Sequence, residues 1–231
     1  LKKMKHIPNT ITLLNLFSGC LAILFVFQGA LPAAAIAIAV AAIFDLLDGL
    51  LARLLHAYSA IGKELDSLAD VVSFGLAPSF IAFSMMSSMP ERLFFPQIAY
   101  IVFVMALASA YRLAKFNIDT EQTSNFIGMP TPANALFWAC IAYTGGHKLE
   151  TLHPYYIALL CIIFAYLLVC NIKMFSFKFK TFTWADNKMI YLFCAVALLA
   201  FIFFGVLGIA LMVLLYPVFS IIHFRLQTKT K

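Results

Sequence analysis

Long apolar runs broken by short polar intervals organise this chain. Leu31 to Leu47, Tyr100 to Ala110 and Tyr191 to Leu215 are the clearest of them. A helix of about 20 apolar residues crosses a bilayer, and the pattern offers eight such stretches, near residues 10–28, 32–55, 65–88, 94–116, 130–146, 153–172, 189–204 and 207–225. Only Gly205-Val206-Leu207-Gly208 separates the last two, which leaves either a tight hairpin or one long broken segment. The pattern therefore predicts an all-α polytopic integral membrane helical bundle of about eight transmembrane helices, forming a single transmembrane domain.

Composition agrees with lipid as the solvent. Of 231 residues 64% are hydrophobic and 11% charged, far from the balance of a soluble domain. The first stretch is followed by further spans and has no small-residue cleavage site, so it reads as a retained helix. Cys20, Cys140, Cys161, Cys170 and Cys194 are scattered through apolar segments without zinc-ligand spacing and read as core or lipid-facing positions. The five histidines are dispersed and default to loop or interface roles.

Charge then sets an orientation. With eight spans and the N-terminus inside, every one of the 16 lysines and arginines falls on the cytoplasmic side except Arg92 and Lys148. Short cytoplasmic loops are the ones enriched in Lys and Arg. Both termini are thus expected in the cytoplasm, and the net charge of +6 reads as a footprint on anionic lipid, with no nucleic acid partner.

Against this background the segment "IFDLLDGLLARLLHAYSAIGKELDSLADVVSFG" stands apart. Asp45 and Asp48 fall at the cytoplasmic end of the second helix, and Asp66 and Asp70 at the start of the third. At about 100° per residue, Asp45, Asp48, Gly49 and Ala52 share an arc of roughly 100°. Gly62, Asp66 and Asp70 recur every four residues, and Ser73 returns to the same stripe. A short connection makes the two helices antiparallel neighbours, so four carboxylates converge on one cleft. Desolvating them together is costly. A hard divalent cation, Mg or Mn, one ion or two, answers that cost, and Gly49, Ala52 and Gly62 leave room for a bulky substrate beside it.

The pattern Asp45-x2-Asp48-Gly49-x2-Ala52-Arg53-x8-Gly62-x3-Asp66-x3-Asp70 fixes eight positions across 26 residues and resembles the signature of the CDP-alcohol phosphotransferases. "IPNTITLLNLFSG", "DVVSFGLAP", "YRLAKFN" and "GMPTPANA" are most similar to the bacterial-type phosphatidylserine synthases of that family, over roughly residues 7–180. Where the common form of "YRLAKFN" has Arg, this chain has Lys115. The resemblance implies a six-helix catalytic core, commonly a homodimer, with the last pair (about 189–225) added to it. It implies that Asp45, Asp48, Asp66 and Asp70 hold the metal and that Asp70 is also the general base. Gly49, Ala52 and Gly62 would accommodate the nucleotide, and Arg53 would support the site or touch phosphate.

On this resemblance the substrates are CDP-diacylglycerol and L-serine and the products phosphatidylserine and CMP, at the cytoplasmic face of the cell (inner) membrane. Arg112, with Lys115 and Asn117 nearby, is the candidate for gripping serine; snorkelling anchors are the plainer reading of Arg112 and Lys115. "NIDTEQTSNFIGMPTP" reads either as a lid or as a plain connection, and "FSFKFKTFTW" as an interfacial segment rather than a substrate-binding strand. Another acceptor, glycerol 3-phosphate or inositol phosphate, is the nearest alternative. A cation transporter is the alternative of a different class, although its site would be expected near the midplane on broken helices.

Overall fold

A bilayer offers no hydrogen bonds to a backbone, so apolar segments in lipid close their bonds internally as helices. The computed structural model describes residues 6–89, 95–118, 126–144, 153–175 and 184–229. Helix α1 (His6–Phe27) turns at Gly29, where φ is +72°, into α2 (Leu31–Leu54). After a short turn Ser59 caps α3 (Ala60–Asp70), its hydroxyl accepting from the Gly62 N–H at 3.0 Å. A π-helical turn, Val71–Leu76, carries α3 into α4 (Ala77–Ser87), so that Ala60–Ser87 is one 28-residue rod.

A 3-10 stretch, Pro96–Phe103, opens α5 (Val104–Ile118). Then follow α6 (Thr131–Tyr143), α7 (Pro154–Val169), α8 (Trp184–Phe204) and α9 (Val206–Lys229). Two-residue strands β1 (Phe126–Ile127) and β2 (Lys173–Met174) pair antiparallel, Phe126 opposite Met174, and tie the approach to α6 to the exit of α7. The hydrophobic pattern does not announce this ladder.

Packing runs α1 on α2, α2 on α6, α5 on α7, and α9 on both α6 and α8. Alanines 34, 35, 37 and 41 are buried along α2, and small residues of this kind let helices approach closely where lipid supplies no hydrophobic drive. The centre is filled by Trp138, Phe74 and Phe164, all fully buried, with Phe137 against Phe164 at a ring separation of 4.5 Å. The outside is apolar too. Leu46, Leu107 and Phe203 are each more than 60% exposed, as lipid-facing positions should be.

The bundle is all-α and polytopic, as the pattern predicts, and fewer than eight of its helices are long apolar spans among the described residues. Among the described residues, His6–Phe27, Leu31–Leu54, Ala60–Ser87, Pro96–Ile118 and Val206–Arg225 are long and apolar enough to cross a membrane. The α7 helix and the Lys188–Phe204 part of α8 are apolar but shorter. Helix α6 has 13 residues, about 20 Å at a rise of 1.5 Å per residue. The third rod also begins five residues before the apolar run, because the Ser59 cap starts the helix at Ala60 and carries its polar first turns beyond the hydrocarbon stretch. The last two helices form a hairpin turned at Gly205, where φ is +58°. There a Cβ on Gly208 would lie 2.2 Å from the carbonyl oxygen of Ala200.

Candidate active site

The ends of α1, α2, α3, α5 and α6 enclose a cleft of about 900 Å³. Asp45, Asp48, Gly49, Ala52 and Arg53 line it from α2, and Gly62, Asp66 and Asp70 from α3. Arg112 and Asn117 reach it from α5, and Pro130, Thr131 and Pro132 close it at the start of α6. Helical spacing thus brings together what it was expected to bring together: every residue of the acidic signature faces one cavity.

The four aspartates are not equivalent. Carboxylate oxygens of Asp45, Asp48 and Asp66 lie within 4.8 Å of one another, and Asp70 is not part of this group. Asp66 Oδ1 is buried without a hydrogen-bond partner among the described residues. An orphaned buried carboxylate oxygen is costly. Thr12 bonds Asp48 and Asn15 bonds Asp70, and these neutral donors do not offset charge. A converging, oxygen-only, acidic donor set with one unsatisfied oxygen fits a hard divalent cation.

Sequence reasoning missed the donors. Thr12 Oγ1 donates to Asp48 Oδ2 at 2.5 Å, and Asn15 Nδ2 donates to Asp70 Oδ1 at 3.2 Å. Asn15 is fully buried, and its own carbonyl accepts from Ser73 Oγ at 3.0 Å. That contact requires α1 to lie almost against the π turn. A Cβ on Gly19 would stand 2.8 Å from Ser73 Cα, so only glycine fits there. A signal was available, since polar side chains within an apolar membrane helix must face protein rather than lipid.

The glycines divide. Nothing lies within 4 Å of a Cβ on Gly49, which is therefore open to the cleft. At Gly62 a Cβ would meet Asn9 Oδ1 and Ser59 Oγ, both at 2.9 Å, so its smallness also serves packing against α1 and the cap. The Arg53 side chain folds back along α2, donating from Nε to the Gly49 carbonyl at 3.0 Å.

The residues expected to grip an acceptor also separate. Arg112 lines the cleft, and its Nε is buried without a hydrogen-bond partner among the described residues. Asn117 lines the cleft as well, but it works as a clasp. Its Nδ2 donates to Ser67 Oγ at 2.9 Å and to Glu64 Oε2 at 3.3 Å, and its carbonyl accepts from Lys63 Nζ at 2.7 Å, which fastens the end of α5 to α3. Lys115 does not line the cleft. It borders a separate pocket of about 20 Å³ between α5 and α7 and donates to Asn171 Oδ1 at 3.5 Å. Residues 119–125 of the polar connection and residues 176–183 of the aromatic and basic segment lie outside the described residues, so neither reading of those loops meets the structure.

The sequence profile of the CDP-alcohol phosphatidyltransferase family matches residues 5–224. A CDP-diacylglycerol–serine O-phosphatidyltransferase of Methanocaldococcus jannaschii is 33% identical over 227 residues, spanning 97% of this chain and 96% of the relative. A protein of the same description from Bacillus subtilis is 34% identical over 176 residues, 76% of this chain and 93% of its own. An archaetidylserine synthase of Methanothermobacter thermautotrophicus is 36% identical over 145 residues, 60% of this chain and 58% of its own.

Proposed function

The chain belongs to the CDP-alcohol phosphatidyltransferase family, and from that premise we propose that it transfers the phosphatidyl group of CDP-diacylglycerol to L-serine, releasing phosphatidylserine and CMP. The observation that carries the reading is the convergence of Asp45, Asp48 and Asp66 beside a separately held Asp70 in one cleft at the ends of the helices. A nucleotide-linked lipid needs such a position, with acyl chains in the bilayer and its pyrophosphate beyond it. Serine as acceptor is supported by the descriptions of the relatives, which share serine although their lipids differ.

Asp45, Asp48 and Asp66 would hold the divalent ion, Mg or Mn. Bound there, it supplies positive charge beside the pyrophosphate and polarises the phosphorus under attack. The protein's own residues do the rest. Gly49 and Ala52 leave the α2 face open for the nucleotide, with Arg53 at the rim. Asp70 takes the proton of the serine hydroxyl, a poor nucleophile while it keeps it. Arg112, whose buried Nε has no hydrogen-bond partner among the described residues, receives the serine carboxylate. The serine oxygen bonds the phosphorus that carries the diacylglycerol, and CMP leaves with the electron pair of the cleaved phosphoanhydride P–O bond.

This reading puts the cleft on the cytoplasmic side, with all eight apolar stretches crossing and both termini inside. The asymmetry of Lys and Arg along the chain supports it. The same reading includes a homodimer, on the family resemblance. A single-cysteine labelling series would test the sidedness: a cysteine at Arg92 should react from outside the cell and one at Lys63 only after the membrane is opened. The activity test is a panel of acceptors offered with CDP-diacylglycerol and Mn²⁺. Serine should support CMP release, whereas glycerol 3-phosphate and inositol phosphate should not; transfer to glycerol 3-phosphate without transfer to serine would reject the assignment.

A further inference from the structure

Thr12 and Asn15 stand three residues apart in α1 and so on one face of it. They are 3% and 0% exposed, buried polar positions that α1 shares with Ser18. Each reaches a different kind of aspartate. Thr12 bonds Asp48, a member of the group whose oxygens converge, and Asn15 bonds Asp70, which is outside that group. The direction of the second bond is fixed by chemistry, because the amide oxygen of Asn15 turned toward a carboxylate would be repelled. One oxygen of each carboxylate is thereby tied to α1.

We propose that α1 gives the site two independent supports: Thr12 orients Asp48 within the metal-binding group, and Asn15 is the positioning residue that holds Asp70 away from that group. The inference rests on the reading of Asp70 as the base. Asn15 is suited to the task because its backbone is held. Its main-chain carbonyl accepts from Ser73 Oγ, and the close passage of Gly19 over Ser73 keeps α1 in register with the π turn that follows Asp70, so the side-chain amide reaches Asp70 from a fixed position. A loosely placed donor would let Asp70 swing toward its neighbours.

The two supports predict opposite losses, measurable on the purified full-length protein by Mn²⁺ titration in electron paramagnetic resonance and by serine kinetics. Outer partners of this kind are worth roughly 10–100-fold. Thr12→Val should weaken Mn²⁺ binding by about 10-fold, and excess Mn²⁺ should restore its turnover. Asn15→Leu should bind Mn²⁺ within about threefold of the parent and keep its KM for serine, yet lose about 10–100-fold in kcat that added Mn²⁺ does not restore. Asn15→Ala, which removes the donor without adding charge, should show the same loss if the leucine variant does not fold. Parental kcat in either Asn15 variant, or equal loss of Mn²⁺ affinity from Thr12→Val and Asn15→Leu, would overturn the proposal. Asp70→Asn separates the two levels: parental turnover there rejects the base itself, whereas an inactive Asp70→Asn beside a fully active Asn15→Leu rejects only the support.

Discussion

Pro78 has no N–H to give to the carbonyl of Phe74 four residues back, and Asn134, fully buried on α6, donates to that carbonyl at 3.3 Å. Replacing Asn134 by Leu removes this bond from the bundle interior, at a cost of about 0.5–1.5 kcal/mol. The variant should melt at a lower temperature in detergent while its Mn²⁺ binding at the aspartates is unchanged. At the aspartates, Asp66→Asn should abolish high-affinity Mn²⁺ binding, read by the same resonance titration, because Asp66 contributes a carboxylate to the converging group and has an oxygen with no other partner. These four acids were legible in the sequence because charge is rare in this chain and their spacing follows the helical period. Thr12 and Asn15 were not, since the acids they bond lie 36 and 55 residues further along the chain. Nothing local to α1 names a partner that far away. Lys115 and Asn117 show the converse: proximity in sequence to Arg112 suggested a shared role, but Lys115 borders the pocket between α5 and α7, and Asn117, although it lines the cleft, is bonded to Ser67 and Glu64.

The rod Ala60–Ser87 was visible as an apolar stretch, but neither its start nor its π turn was. Its start depends on Ser59, whose cap lets the helix begin in a polar segment and sets the phase at which Gly62, Asp66 and Asp70 meet the cleft. Ser59→Ala should lower stability by about 0.5–2 kcal/mol, measured as a fall in melting temperature. The π turn escapes a reading that advances every residue by the same angle, and Pro78 was the one local hint of it. Its partner across the bundle is Gly19. Gly19→Val would press a side chain onto Ser73 Oγ and Cα, atoms that include backbone and cannot simply rotate away. Overpacking of this kind costs roughly 1–3 kcal/mol. The variant should also lose turnover at saturating Mn²⁺, because the Ser73 contact that holds Asn15 is disturbed.

At the scale of the whole molecule, the C-terminal pair was expected as an addition to a core that ends near residue 180. In the structure it is fastened to that core. Tyr216 donates to the Phe175 carbonyl at 2.6 Å, the Phe175 N–H reaches Ser220 Oγ at 3.4 Å, and α9 covers α6. Truncation after residue 183 should therefore lower the melting temperature and favour aggregation in detergent, as size-exclusion chromatography would report. The order of the elements along the chain carries a consequence for biogenesis. Ribosomes deliver α1 first, so Thr12 and Asn15 are already in the membrane when the segment bearing Asp45, Asp48, Asp66 and Asp70 leaves the insertion machinery. Aspartates entering lipid unaided are resisted by about 2.5–3.5 kcal/mol each at a helix centre; here, each pair of acids follows a helix that already holds a donor for one of them.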